Sequence, residues 1–244
     1  MQGIDVKTDI GEIDEIDDDV TLISEEKAFL KQKKGILYFT YLLIKRVFDI
    51  IGSLIGIVIL IPATFVIWIS RIILKENDGP LFYEQLRYGK KGKMFRLFKF
   101  RSMCMNADKK LKKYLNENEK AKKEFENTQK LTYDPRITKL GKFLRKTSID
   151  ELPQMINILL GQMSFVGPRP VIDGEIQRYG KNINKFLSVK PGLTGYWQVN
   201  GRSNTTYEER MQLELYYVDH QSLALDIKIF FKTFETVIKH EGAK

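Results

Sequence analysis

From Ile50 to Ser70 the chain carries no charged residue, over a length that suits one helical crossing of a bilayer. No other stretch limits the fold as severely, because so apolar a segment must be covered by protein or by lipid. Two details argue against a simple crossing. Pro62 falls inside the run, removes one helical hydrogen bond and favours a break. Both flanks are basic, with Lys45 and Arg46 before and Arg71 and Lys75 after, so charge bias assigns neither end to the outside. A helix-break-helix that enters and leaves by the same face satisfies both details and puts everything downstream on the cytoplasmic side. The competing reading is a core helix buried in protein. Gly52 and Gly56 have the small-xxx-small spacing that lets helices approach closely.

Charge divides the chain unevenly. Residues 1–26 hold ten acids against Lys7 alone, a net of −9; the total is +9, which leaves +18 on the remainder. Such a head is expected to be disordered. So basic a body suits a polyanionic partner: nucleic acid, an anionic bilayer surface or a phosphorylated substrate. Between the two, Lys31, Lys33 and Lys34 stand among Phe29, Leu30, Ile36, Leu37 and Phe39, a pattern for an interfacial segment. Cys104 is the only cysteine, which excludes an intrachain disulfide and fits a reducing compartment. His220 and His240 lack ligand spacing, so zinc is not expected. The acidic opening does not match the basic start of a secretory signal.

Beyond residue 76 the pattern predicts a mixed domain. Phe82-Tyr83 and the run from Met94 to Phe100 flank Gly89-Lys90-Lys91-Gly92 and read as a hairpin. Residues 107–127 form one lysine-rich polar helix, solvated on its surface. Leu223 to Ile238 reads as a helix resting on the core or on the bilayer surface.

The chemistry-bearing stretch is Arg145-Lys146-Thr147-Ser148-Ile149-Asp150-Glu151-Leu152-Pro153-Gln154. Adjacent carboxylates repel, and a divalent metal or nearby arginines remove that cost. A solvated acidic pair at a helix start is the bland alternative. Arg101, Arg136, Arg145, Arg169 and Arg202 fall in loop-like settings, and the planar guanidinium suits phosphate. Each alone reads as a surface residue; as a set beside Asp150 and Glu151, on a membrane-held protein, they suggest phosphoryl transfer from a diphosphate. No Gly-x-x-x-x-Gly-Lys-Ser/Thr loop is present, which argues against a P-loop nucleotide hydrolase.

Six motifs in unbroken order carry a resemblance: Lys45-Arg46-Val47-Phe48-Asp49, Lys99-Phe100-Arg101-Ser102-Met103, Asp134-Pro135-Arg136-Ile137-Thr138, Ser148 to Gln154, Gly167-Pro168-Arg169-Pro170 and Lys190-Pro191-Gly192-Leu193-Thr194-Gly195. From Lys45 to the C-terminus the chain resembles the bacterial sugar transferases, the monotopic polyprenyl-phosphate phosphoglycosyl transferases that begin exopolysaccharide, capsule and glycan assembly. It is similar to their compact form. His220-Gln221-Ser222 departs from the Asn-Trp-Ser expected there.

The resemblance implies that Asp150 is a nucleophile toward the β-phosphate of a UDP-sugar, releasing UMP and leaving an aspartyl-phosphosugar. A polyprenyl phosphate, undecaprenyl phosphate being the expected one, then accepts the phosphosugar. It further implies Mg2+ at Asp150 and Glu151, with Glu151 supporting, and the Pro168-Arg169-Pro170 loop holding the nucleotide. Arg101, Arg136, Arg145 and Arg202 are the remaining candidate phosphate ligands, and Tyr196-Trp197 is a candidate for shaping the sugar pocket. The expected architecture is α+β and helix-rich: an acidic head (1–26), an interfacial and re-entrant segment (27–75), and a small cytoplasmic catalytic domain ending in an amphipathic helix (76–244). Expected partners are UDP-sugar, polyprenyl phosphate and membrane lipid at the bacterial cytoplasmic membrane; a homo-oligomer stays open. Nucleic acid is not an expected partner, since neither an RNA-binding sheet signature nor a helix-turn-helix is found. A membrane-anchored nucleic-acid-binding or scaffold protein is the rival class, and it leaves the ordered arginine motifs and the acid pair unexplained.

Overall fold

The structure, a computed structural model, describes residues 35–128, 131–201 and 205–238. The acidic head, the lysine cluster after it and Arg202 lie outside the described residues. The chain divides after Lys45 into two units, and the described part of the first is the opening of helix α1 (Ile36–Ile73).

α1 runs 38 residues, about 57 Å at the usual helical rise. The break expected at Pro62 does not interrupt it, and the helix is continuous through that residue. Proline withholds one bond and bends a helix without ending it when the adjoining turns are held. Here the Thr64 hydroxyl donates back to the Leu60 carbonyl at 2.7 Å, tightening the turn around the proline. Among the described residues this is the one helix long and apolar enough to cross a membrane.

The buried-core reading does not hold for it. Ile51, Leu54, Val58, Ile61, Phe65 and Val66 are each 49–69% exposed, so most of the helix offers hydrocarbon to its surroundings. One stripe, from Arg46 onward, is covered by the rest of the second unit. The Arg46 guanidinium donates to the Ile158 and Leu159 carbonyls, both at 2.7 Å, at the end of helix α5 (Gln154–Leu159), where a helix has orphan acceptors and partial negative charge. Asp49, 3% exposed, accepts from the Ser164 hydroxyl (3.0 Å) and the Phe165 N–H (2.9 Å). Gly52 lies against the Phe165 ring and Gly56 against Met155, so close that a methyl at either would meet the neighbour at about 2.5 Å. The small-xxx-small pair thus admits side chains of the body instead of a second helix. Farther along, Leu60 and Ile67 join Phe100 and Leu144 in the core.

The body is α+β and helix-rich. β1 (Phe82–Tyr88) and β2 (Met94–Phe100) pair antiparallel as expected, Phe82 opposite Phe100 and Tyr88 opposite Met94. The lysine-rich segment is exposed as expected, but it forms two helices, α2 (Ala107–Glu117) and α3 (Glu119–Thr128). Asn118 separates them, extended in backbone, with its side chain accepting from Ala121 N–H as a new cap. β3 (Ser164–Val166) and β4 (Gly192–Thr194) pair parallel, and the Gly167 and Gly192 backbones approach so closely that neither has room for a Cβ. That pairing brings the Gly167-Pro168-Arg169-Pro170 and Lys190-to-Gly195 motifs side by side.

At the C-terminus, α9 (Tyr207–Asp219) precedes α10 (Leu223–Ile238). α10 buries Ile229 and Asp226, which accepts from the Tyr217 hydroxyl at 2.7 Å, and it exposes Ile227, Phe231 and Phe234. One face therefore serves the core, and the other presents hydrocarbon alongside Lys228 and Glu235.

Asp49 is the polar joint between α1 and β3. Asp49→Ala leaves a buried hydroxyl and a buried N–H without that acceptor, at a cost of about 2–3 kcal/mol. The expected outcome is a fall of roughly 5–10 °C in the unfolding midpoint of detergent-solubilised protein. Asp49→Asn, which keeps an acceptor oxygen, should recover most of it; equal losses in both variants would refute the hydrogen-bond account.

Candidate active site

The acid pair is built by the end of one helix and the start of another. α4 (Lys139–Lys146) begins where Thr138 accepts from the Gly141 N–H at 2.9 Å. The Glu76 carboxylate, just past α1, accepts from the Lys139 (2.8 Å) and Leu140 (3.2 Å) N–H groups. An acid at a helix start satisfies orphan donors and complements the helix dipole. After α4 the chain turns through Ser148, whose φ of 57° is the left-handed conformation that glycine usually supplies. A 3-10 turn over Ile149–Glu151 follows, and Pro153 leads into α5.

Within that turn the two carboxyls have opposite environments. Asp150 is 9% exposed; burial and then the Glu151 charge push its carboxyl up from 3.8 to about 6, against the pull of Lys99 and Arg145. For Glu151, desolvation also acts upward but is outweighed by Lys99, Arg169 and a hydrogen bond from Gln154, so its carboxyl lies below the ordinary value. The Lys99 ammonium stands 2.5 Å from Glu151 Oε1. One acid is thus held ionised by a fixed partner, while its neighbour is left closer to neutrality.

Of the arginines singled out from sequence, Arg145 and Arg169 act on this pair. Among the described residues neither guanidinium has a hydrogen bond or an ion pair, so both forks are open. Arg101 donates from Nε to the Pro80 carbonyl (2.8 Å) and lies over the Tyr83 ring. Arg136 is committed to Asp134 by a two-pronged contact, 2.9 and 2.7 Å; although burial opposes it, that pairing lowers the Asp134 carboxyl. Pro168 and Pro170 are buried either side of half-buried Arg169. Tyr196 lines an open cavity of about 420 Å³ with Thr205, Glu209, Gln212, Leu213 and Tyr216, whereas Trp197 lies under the Arg210 guanidinium.

Lys99 and Gln154 were not assigned roles from sequence. Lys99 continues the alternation of Phe95 and Leu97, both buried, so a lysine on the inward face of a strand was the available signal. As for metal, no group of three or more His, Cys, Asp or Glu side chains converges among the described residues. Asp150 and Glu151 alone fit magnesium in its common mode, in which one or two carboxylates are completed by substrate phosphates and water.

The raised Asp150 carboxyl has a consequence for stability. The folded protein holds this proton between about pH 4 and pH 6, where the unfolded chain has lost it, so stability falls as pH rises through that window. The loss is on the order of 2–3 kcal/mol. In metal-free detergent solution, Asp150→Asn should therefore unfold at a higher temperature than the wild type at pH 7.5, and the advantage should vanish near pH 4. An advantage independent of pH would refute the assignment.

Comparison with known proteins bears on this geometry. Residues 40–240 match the family model described as bacterial sugar transferase. The undecaprenyl-phosphate galactose phosphotransferase of Salmonella typhimurium is 40% identical over 222 residues, 91% of this chain and 46% of that protein. The exopolysaccharide production protein ExoY of Sinorhizobium fredii is 37% identical over 215 residues, 88% of this chain and 94% of that protein. The UDP-glucose:undecaprenyl-phosphate glucose-1-phosphate transferase of Escherichia coli is 38% identical over 199 residues, covering 78% of this chain and 39% of that protein. The chain thus spans about half the length, or less, of two of these three relatives. With its motifs on the acid-pair turn and the Pro-Arg-Pro loop, and the family match running through both, the chain belongs to the bacterial sugar transferase family.

Proposed function

We propose that this protein transfers a phosphosugar from a UDP-sugar to a polyprenyl phosphate such as undecaprenyl phosphate, through a covalent aspartyl intermediate on Asp150. The observation that carries this reading is the acid pair itself: one carboxyl paired with Lys99, its neighbour buried beside it, and two open guanidiniums acting on them. The relatives' names, which specify undecaprenyl-phosphate phosphotransferases, support the same class.

In the first half-reaction an Asp150 oxygen bonds to the β-phosphorus, the bridging P–O bond breaks, and UMP leaves with that electron pair. In the second, a phosphate oxygen of the polyprenyl phosphate bonds to the same phosphorus, the acyl-phosphate bond breaks, and Asp150 returns as a carboxylate. Asp150 must be ionised to attack, and Lys99 and Arg145 favour that form. Arg145 and Arg169 are free to take non-bridging oxygens of the diphosphate and to hold it in line. Glu151, kept anionic by Lys99, would share with Asp150 the holding of magnesium, which when bound neutralises diphosphate charge.

The membrane reading is part of the proposal. The basic residues at both ends of the uncharged run bind the same body: Arg46 the end of α5, Arg71 the carbonyls of Glu76 (2.8 Å) and Gly79 (3.0 Å). This supports a monotopic seating in which α1 bends at Pro62 and both ends of the uncharged run stay with the body, the catalytic domain on the cytoplasmic face and the exposed aromatic face of α10 toward the headgroups. Cysteine labelling should find the N-terminal head and the body on the same side; opposite sides would overturn the topology.

The chemical test is the intact mass of detergent-purified protein incubated with magnesium and a panel of UDP-sugars, without lipid acceptor. An adduct of one phosphosugar is expected, absent in Asp150→Asn, together with a loss of UMP release of about 10³-fold or more in that variant. UMP release only when polyprenyl phosphate is added, with no adduct from any donor, would instead mean direct transfer.

A further inference from the structure

Behind the Pro-Arg-Pro loop lies a second group of charges that the transfer mechanism does not use. Arg87 on β1, Glu175 on α6 (Asp173–Ile176), and Arg210 and Glu214 on α9 form a chain of ion pairs: Arg87–Glu175 at 3.6 Å, Glu175–Arg210 at 3.2 Å and Arg210–Glu214 at 3.3 Å. Arg87, Arg210 and Glu214 are 8%, 9% and 1% exposed, and Tyr179, also buried, donates its hydroxyl to Glu214 Oε2. So many desolvated charges cost stability that apolar residues of similar volume would not. Even the bonding is incomplete, since Arg87 Nε and Arg210 Nη2 are buried without a partner.

The network's contacts with the loop are specific. Arg87 Nη1 donates to the Pro170 carbonyl at 2.9 Å, Glu214 Oε1 accepts from the Arg169 N–H at 3.4 Å, and Glu175 accepts from the Ile172 N–H at 3.1 Å. Backbone bonds complete the tether: Gly192 N–H to the Pro168 carbonyl (2.8 Å) and Tyr88 N–H to the Val171 carbonyl (3.0 Å). Two prolines fix φ within the loop and carry no N–H of their own, and the Gly167 N–H donates to the Thr194 carbonyl (2.9 Å). The loop backbone is therefore held at several peptides, and among the described residues the Arg169 guanidinium has no hydrogen bond or ion pair. Charge acts on that side chain as well: Arg87, depressed first by burial and then by the Arg169 charge, repels it from behind the loop, while Glu151 lies ahead.

We infer that Arg87, Glu175, Arg210 and Glu214 are positioning residues for Arg169: the network fixes the loop backbone and drives the Arg169 guanidinium toward the acid pair, where it binds the diphosphate of the nucleotide donor. This rests on the donor reading proposed above. Counting Arg169, three guanidiniums face two carboxylates, and both carboxylates are already ion-paired with Arg87 or Arg210, which favours an anionic ligand in front of Arg169.

The test uses the full-length, detergent-solubilised protein with magnesium, and UDP as the probe, titrated by calorimetry so that turnover is not required. Arg169→Ala should weaken UDP binding by about 10- to 100-fold, the range for one charge-assisted contact. Arg87→Met and Glu214→Ala should each approach that loss, Arg87→Lys should recover part of it, and Arg87→Met combined with Arg169→Ala should lose no more than Arg169→Ala alone. If the network serves folding only, these variants will lower the midpoint of unfolding and the binding stoichiometry while the remaining sites keep the wild-type Kd, and the inference falls with the donor reading intact. Failure of the wild type itself to bind UDP would instead remove the donor reading and the inference together.

Discussion

The fold depends on a lengthwise contact between a hydrocarbon-faced helix and a charged body. α1 gives one stripe to protein and the rest to its surroundings, and polar bonds fix the register of that stripe. Arg46 completes the end of α5, Asp49 takes two donors at β3, and Arg71 takes the carbonyls of the chain that leaves the helix. Apolar contact alone is non-directional and would tolerate sliding; buried hydrogen bonds do not. Because α5 and β3 lead directly from the acid pair to the Pro-Arg-Pro loop, the hydrocarbon-faced helix also sets the frame of the site.

The site in that frame is electrostatically uneven by construction. Lys99 is spent on Glu151, so Asp150 must share its second-row cations Arg145 and Lys99 with other groups and remains partly desolvated. A carboxyl raised toward 6 destabilises the empty fold at neutral pH and is relieved by any cation or cationic ligand complex that arrives. Ser148 adds backbone strain beside it. Folding energy given up at such positions is characteristic of groups arranged for a ligand and not for the resting protein.

Much of this was legible in the residues. The uncharged run, the hairpin around Gly89 to Gly92, the exposure of the lysine-rich segment, though not its division at Asn118, and the motif containing Asp150 and Glu151 all follow from local composition and spacing. The unbroken passage through Pro62 was not, because the proline's preference for a break is overridden by turns packed on either side. Arg136 could be read only as one more arginine, although its tie to Asp134 two residues earlier removes it from the open set. Lys99 left one trace, a lysine in register with buried Phe95 and Leu97, but the charges behind Arg169 were illegible for a different reason. Arg87, Glu175 and Arg210 meet across β1, α6 and α9, and sequence spacing carries no trace of a contact made only by tertiary folding.

The joint between α1 and the body also fixes an order of events in the life of the chain. The ribosome delivers α1 first, whereas its partners at Ile158, Ser164 and Phe165 emerge more than a hundred residues later. These contacts of long sequence separation close slowly, and until they do the helix's inner stripe, with Arg46 and Asp49, has nothing to bind. The nascent helix therefore waits with its polar stripe unmet, and the body folds against a surface that was made first. The acid-pair turn and the Pro-Arg-Pro loop are thereby assembled on a helix that is already made, so whatever seats that helix acts before the site is complete.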